Sequence, residues 1–148
     1  MLTNNLGIII GGLAPALLFG VFAILTKAST QYNLGSSFFI IIVGIACIVL
    51  GLGSVPIFAD NLGKLSLMGV LLAGLGGLAW GLGMLLVNVA IAKFDTPISL
   101  LAPIYNMNTL VSILLGLWIF AEWRHVSMPT LMLGSFLITL GGVILSKA

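Results

Sequence analysis

The chain has 148 residues, of which 61% are hydrophobic and 5% are charged, and its formal net charge is +2. A soluble domain carries about 25% charged residues, so this composition excludes one. So small a charge without a basic patch also speaks against nucleic-acid binding.

Five stretches contain no Asp, Glu, Lys or Arg: residues 7–26, 36–58, 67–91, 98–121 and 129–145. A helix needs about 20 apolar residues to cross roughly 30 Å of hydrocarbon. A backbone in lipid must satisfy its own hydrogen bonds, so such runs predict helices. The fold class predicted is an all-α membrane protein: a bundle of five transmembrane helices forming one domain, residues 1–148.

Residues 1–5 have no basic n-region, and the apolar run that follows is longer than a signal-peptide core of about 7–15 residues. Span one is therefore read as a retained helix, and no lipidation motif is evident. Pro15 lies inside it, where it frees the carbonyl of Gly11 and bends the helix. Lys27 at its end snorkels. After a connection over residues 27–35, Ser36 is the expected N-cap of span two. The single cysteine, Cys47, lies in that span and is expected to be a small buried hydrophobe.

Ser66 is the expected cap of span three, after a connection over residues 59–66. This span concentrates glycine in Gly69, Gly74, Gly76, Gly77, Gly81 and Gly83. Ala73, Gly77 and Gly81 recur every four residues, a pattern that lets another backbone approach closely. Residues 74–79 fit G-x-G-x-x-A superficially, but no strand precedes them, so a dinucleotide site is not expected. Trp80 sits near mid-span, packed or lining a cavity. Asn88 aligns with Gly77, Gly81 and Met84; it either adds to a cavity or bonds a neighbouring helix.

Thr96 and Pro97 form a cap-then-N1 pattern before span four, since proline lacks an N–H that would be orphaned there. Span four carries the main polar set. Tyr105, Asn108, Thr109 and Ser112 fall at i, i+3, i+4 and i+7, hence on one face, with Asn106 to one side. They lie close to the bilayer centre, where polar groups are costly and turn toward the bundle interior or a water-filled cavity. Either they form a hydrogen-bonding wall for a polar substrate or they hold helices together, each such bond contributing about 0.6 kcal/mol. Pro103, just before the stripe, frees the carbonyl of Ser99. Pro15 and Pro103 are the candidate hinges. Glu122 closes span four and is read as structural, pairing either with Arg124 or with a cation elsewhere. His125 is a lone loop histidine without metal-ligand company. Pro129 lies near the start of span five.

No span contains a carboxylate, and Asp60, Asp95 and Glu122 lie at span ends. No connection is long enough for a nucleotide-binding or catalytic domain, so no enzyme, cofactor or metal is expected. Energy for uphill movement would come from an ion gradient. Five spans place the termini on opposite sides. Lys64 and Arg124 lie on one side, and Lys27, Lys93 and Lys147 on the other, a bias of 3 − 2 = 1. Lys/Arg asymmetry in short loops sets orientation, so a bias of one allows insertion both ways round. Oppositely inserted copies would supply the inverted repeats around which many transporters are built.

The run with Pro103, then residues 116–122 (Gly-Leu-Trp-Ile-Phe-Ala-Glu), Gly134 and residues 140–145 (Leu-Gly-Gly-Val-Ile-Leu) resembles the end of an EamA domain of the drug/metabolite transporter superfamily. Gly20 and Lys27 are similar to the close of that domain's first helix, so the likeness covers nearly the whole chain. It implies one half of an inverted-repeat transporter, completed as an antiparallel homodimer. It also implies that helices one, three and four surround the cavity. The multidrug relatives' glutamate in helix one has no counterpart here.

The function expected is secondary transport of a small neutral or zwitterionic polar metabolite. The candidate substrate-binding residues are Trp80, Asn88, Tyr105, Asn106, Asn108, Thr109 and Ser112. The expected partners are this small molecule, membrane lipid and a second copy, in a prokaryotic cell (inner) membrane. The alternative is a non-transporting accessory subunit that packs against a paralogue.

Overall fold

The computed structural model describes residues 7, 9–59, 61–124 and 126–145. The amino-terminal residues 1–5, Asp60, His125 and Lys147 lie outside the described residues. A π turn over Ile9–Leu13 leads into α1 (Ala14–Gln31), followed by α2 (Ser36–Phe58) and α3 (Leu67–Phe94). Then come α4 (Ile98–Tyr105), α5 (Asn108–Ile119) and α6 (Met128–Leu145). Short 3₁₀ turns cover Leu62–Lys64 and Glu122–Arg124.

These elements make five helices long and apolar enough to cross a membrane: Ile9–Gln31, Ser36–Phe58, Leu67–Phe94, Ile98–Ile119 and Met128–Leu145. The chain is thus an all-helical, multi-pass membrane protein, with no strand among the described residues. Span three, at 28 residues, is about 42 Å long. That exceeds the hydrocarbon thickness and calls for tilt.

The helix ends differ from the expected ones in informative ways. Lys27 and Lys93 are inside α1 and α3. A lysine marks the approach of water but does not stop a helix, because its stem stays in the apolar layer while the ammonium reaches out. Ser66 caps α3 as expected, its Oγ accepting from the Gly69 N–H at 3.3 Å. Ser36 does not cap α2: Gly35 is the N-cap and Ser36 the first helical residue. Pro97, not Thr96, is the N-cap of α4, and its fixed φ already suits the extended conformation observed there. Ala59, Asp95 and Ala121, each just past the end of a helical segment, take the left-handed conformation, with φ of 52°, 49° and 53°.

Both prolines act differently from simple interior kinks. Pro15 is the second residue of α1, directly after the π turn. In an unbroken α-helix its ring would clash with the carbonyl of Gly11. A π turn is wider than an α turn and so gives that carbonyl room, and such turns are a known cause of sharp bends. Pro103 lies inside α4, and span four tightens three residues later. The Met107 N–H donates to Ile104 O at 3.1 Å, and the Leu110 N–H to Met107 O at 3.0 Å, both i→i−3 bonds. Tyr105 therefore ends one helix and Asn108 begins the next. The stripe expected on one continuous face is split there, and only Asn108, Thr109 and Ser112 share a helix.

The chain packs as two compact units, Met1–Asp95 and Thr96–Ala148. In the first, a three-helix unit, full burial among the described residues is confined to one end. Ala23, Thr26, Phe39, Asn88 and Ile91 are buried. Residues 67–80 of α3, 45–53 of α2 and 16–21 of α1 are exposed throughout. Among the described residues of this chain no backbone approaches the glycines of α3 closely: a Cβ at Gly74, Gly76, Gly77, Gly81 or Gly83 would meet nothing within 4 Å.

The second unit is a helical hairpin whose helices come together at Gly142, which is buried. A Cβ there would lie 3.0 Å from Met107 Sδ and 3.2 Å from its Cγ, with the Pro103 carbonyl oxygen at 3.8 Å. The tightened turn of span four is thus seated on a bare stretch of α6. Gly142→Leu should push the two helices apart at a cost of about 1–3 kcal/mol, read as a lower melting temperature in detergent. Gly77→Ala should leave it unchanged.

Candidate functional site

Two grooves and two sets of polar side chains stand out, each within one unit. In the three-helix unit, Phe22 joins the helices. Its ring centroid is 6.2 Å from Phe39 on α2 and 6.2 Å from Trp80 on α3, at tilts of 41° and 35°. Such offset, tilted arrangements are favourable for aromatic pairs. Around this trio lies an apolar groove of about 530 Å³, edged by Thr26, Cys47 and Leu50. Trp80 both packs on Phe22 and lines the groove, so the two roles expected for it coexist. Cys47 is exposed along the groove.

Toward the packed end sit Thr26 and Asn88, exposed by 1% and 0%. The Thr26 hydroxyl donates to Phe22 O at 2.8 Å, so its need for an acceptor is met within α1. Asn88 is different: neither Nδ2 nor Oδ1 has a hydrogen-bond partner among the described residues. The interhelical bond considered for it is not made. Leaving a buried polar group unpaired costs about 1–3 kcal/mol, and each such group in a native fold calls for an explanation.

In the hairpin, the mid-span polar set is uncovered. Asn106, Asn108, Thr109 and Ser112 are exposed, and Tyr105 is half-buried. Thr109 Oγ1 donates to Asn106 O at 2.9 Å, a bond within its own turn. The side chains of Asn106, Asn108 and Ser112 make no hydrogen bond among the described residues. Asn108 lies ten residues into span four's 22, close to its midpoint. Carboxamides at that depth facing lipid would be expensive, so this face needs a polar neighbour.

A second groove, of about 410 Å³, runs between α5 and α6, lined by Ile113, Ser127, Thr130, Gly134, Ser135 and Ile138 among others. Its hydroxyls escaped the sequence reading, although Ser127, Thr130, Gly134 and Ile138 follow a helical spacing that marks one face. Ser127 and Thr130 lie 3.1 Å apart and bond each other, which leaves the groove less polar than its composition suggests. None of the expected site residues lines it.

Glu122 is not turned toward Arg124. The left-handed turn at Ala121 brings the carboxylate back onto the end of α5. A Cβ built on Gly116 would lie 2.7 Å from Glu122 Oε2 and 3.4 Å from Cδ. Gly116 is bare where the carboxylate rests.

Trp80, Asn88 and Pro15 belong to the three-helix unit, and Tyr105, Asn106, Asn108, Thr109, Ser112 and Pro103 to the hairpin. The described residues contain no cluster of three or more His, Cys, Asp or Glu able to hold a metal ion. No protein-family model matches the chain, and no curated protein or solved structure matches it either.

Proposed function

We propose that this chain is a small secondary transporter of the drug/metabolite type, similar to a single EamA domain, which moves a small neutral or zwitterionic polar metabolite. The observation that carries this reading is the uncovered polar stripe of span four. Asn108 and Ser112, flanked by Asn106, offer donors and acceptors at mid-bilayer depth without using them on their own hairpin. A polar solute crossing the membrane needs such groups in place of water, and a set without formal charge suits a solute without net charge. The active form in this reading is an antiparallel homodimer in a prokaryotic inner membrane, its two copies related as inverted repeats. The charge bias of one between the two sides supports it.

The test is thermal stabilisation of the purified protein across a panel of neutral, zwitterionic and charged metabolites. A ligand at 100 times its Kd stabilises by about 2.7 kcal/mol, a shift large enough to see. Stabilisation by neutral or zwitterionic compounds, followed by their uptake into proteoliposomes, is the expected result. A second reading, an accessory subunit packed against a paralogue, is favoured by one feature, the unpartnered glycines of α3. It predicts no ligand in the panel and co-purification with a different five-span chain.

A further inference from the structure

We propose that the packed end of the three-helix unit is a gate, and that the Asn88 carboxamide sets how readily it opens. This rests on the transporter reading in one respect: a gate has a purpose only where a solute path exists. Two independent observations carry it. Among the described residues of this unit, full burial is confined to a single layer formed by Ala23, Thr26, Phe39, Asn88 and Ile91, while residues 16–21, 45–53 and 67–80 of the three helices are exposed throughout. Within that layer sits a fully buried carboxamide with both polar atoms unpaired.

The layer is thin and lies near one membrane face. Asn88 is six residues from the end of α3 at Phe94, about 9 Å along the axis. Thr26 is five residues from the end of α1 at Gln31, about 8 Å. Phe39 enters from the beginning of α2, so all three helices meet at the same end. Among the described residues only three apolar ones, Ala23, Phe39 and Ile91, are fully buried in the layer, and segments with few buried contacts open most readily. Opening hydrates the Asn88 amide, which regains the bonds it lacks when the layer is closed. The carboxamide therefore works against the closed form, and the aromatic trio of Phe22, Phe39 and Trp80 marks the inner border of the layer.

The experiment reads water access to the layer and needs no substrate. Ala23→Cys in a Cys47→Ser background is labelled in membranes with a small, charged methanethiosulfonate reagent. With Asn88 in place, labelling should proceed at a measurable rate. Asn88→Leu keeps the branched shape and removes the unpaired groups, so labelling should slow about ten-fold or more while the melting temperature rises. Asn88→Ala, which cannot overpack, should also slow it. If Asn88 instead holds the helices together, both variants label faster and melt lower, and the proposal is overturned. Labelling that is unchanged by both variants, or absent throughout, overturns it as well. A metabolite panel without a hit would count against the transporter reading and leave this labelling result standing.

Discussion

Replacing Asn108 by leucine should sharply reduce ligand-induced stabilisation while leaving the melting temperature of the ligand-free protein almost unchanged. The structure gives the reason for both halves. Asn108 is the first residue of α5, it is exposed, and none of the described residues bonds to its carboxamide. Leucine is a better helix former than asparagine, so the helix itself loses nothing. A polar ligand held at mid-membrane would lose a hydrogen bond and keep an unpaired group of its own, at about 1–3 kcal/mol. That is roughly a 5- to 150-fold loss of affinity. Thr109→Val should do much less, because the Thr109 hydroxyl is already engaged by Asn106 O. The contrast between adjacent residues is what separates a binding wall from interhelical glue. If Asn108→Leu breaks up the oligomer while ligand stabilisation persists in what remains assembled, the stripe is glue.

The second large effect concerns orientation. A carboxy-terminal reporter should be active on both sides of the membrane. Lys64 and Arg124 oppose Lys27, Lys93 and Lys147, and a difference of one is a weak instruction to the insertion machinery. Two lysines added to the connection around Lys64 should drive the chain into one orientation, and two added around Lys93 into the other. Each fixed form alone should show neither ligand stabilisation nor uptake, and co-expression of the two should restore both. A native chain that reports from one side only removes the basis of the inverted homodimer.

The five spans were legible because each is a long run without a charge, and no other structure can carry such a run through lipid. The helix ends were less so, since Lys27 and Lys93 belong to helices that continue past them. Ser66 was readable as a cap because a hydroxyl before an apolar run has one favourable use. Ser36 was not, because the preceding Gly35 takes the extended conformation first. The positions of Pro15 and Pro103 announced irregular backbone without telling its form. A π turn upstream of one and a 3₁₀ tightening downstream of the other depend on how the freed carbonyls are accommodated. For the same reason Tyr105 separated from Asn108: the stripe was drawn on a uniform 3.6-residue period that the turn at Asn106 and Met107 does not keep. The pairing state of Asn88 lay wholly outside the sequence, because it depends on what α1 and α2 place opposite it.

Gly116 and Glu122 occupy one volume, and this makes them a heritable pair. A Cβ at 116 would lie 2.7 Å from Glu122 Oε2, so a methyl group there makes the carboxylate, the end of a flexible side chain, swing off its seat. Among descendants of this chain, alanine or larger residues at 116 should therefore coincide with short side chains at 122. A double-mutant cycle can anticipate that record. Gly116→Ala should lower the melting temperature when Glu122 is present, since the carboxylate must leave its seat. In a Glu122→Ala background the same methyl group should be harmless. Additive effects of the two substitutions would mean that the positions evolve independently.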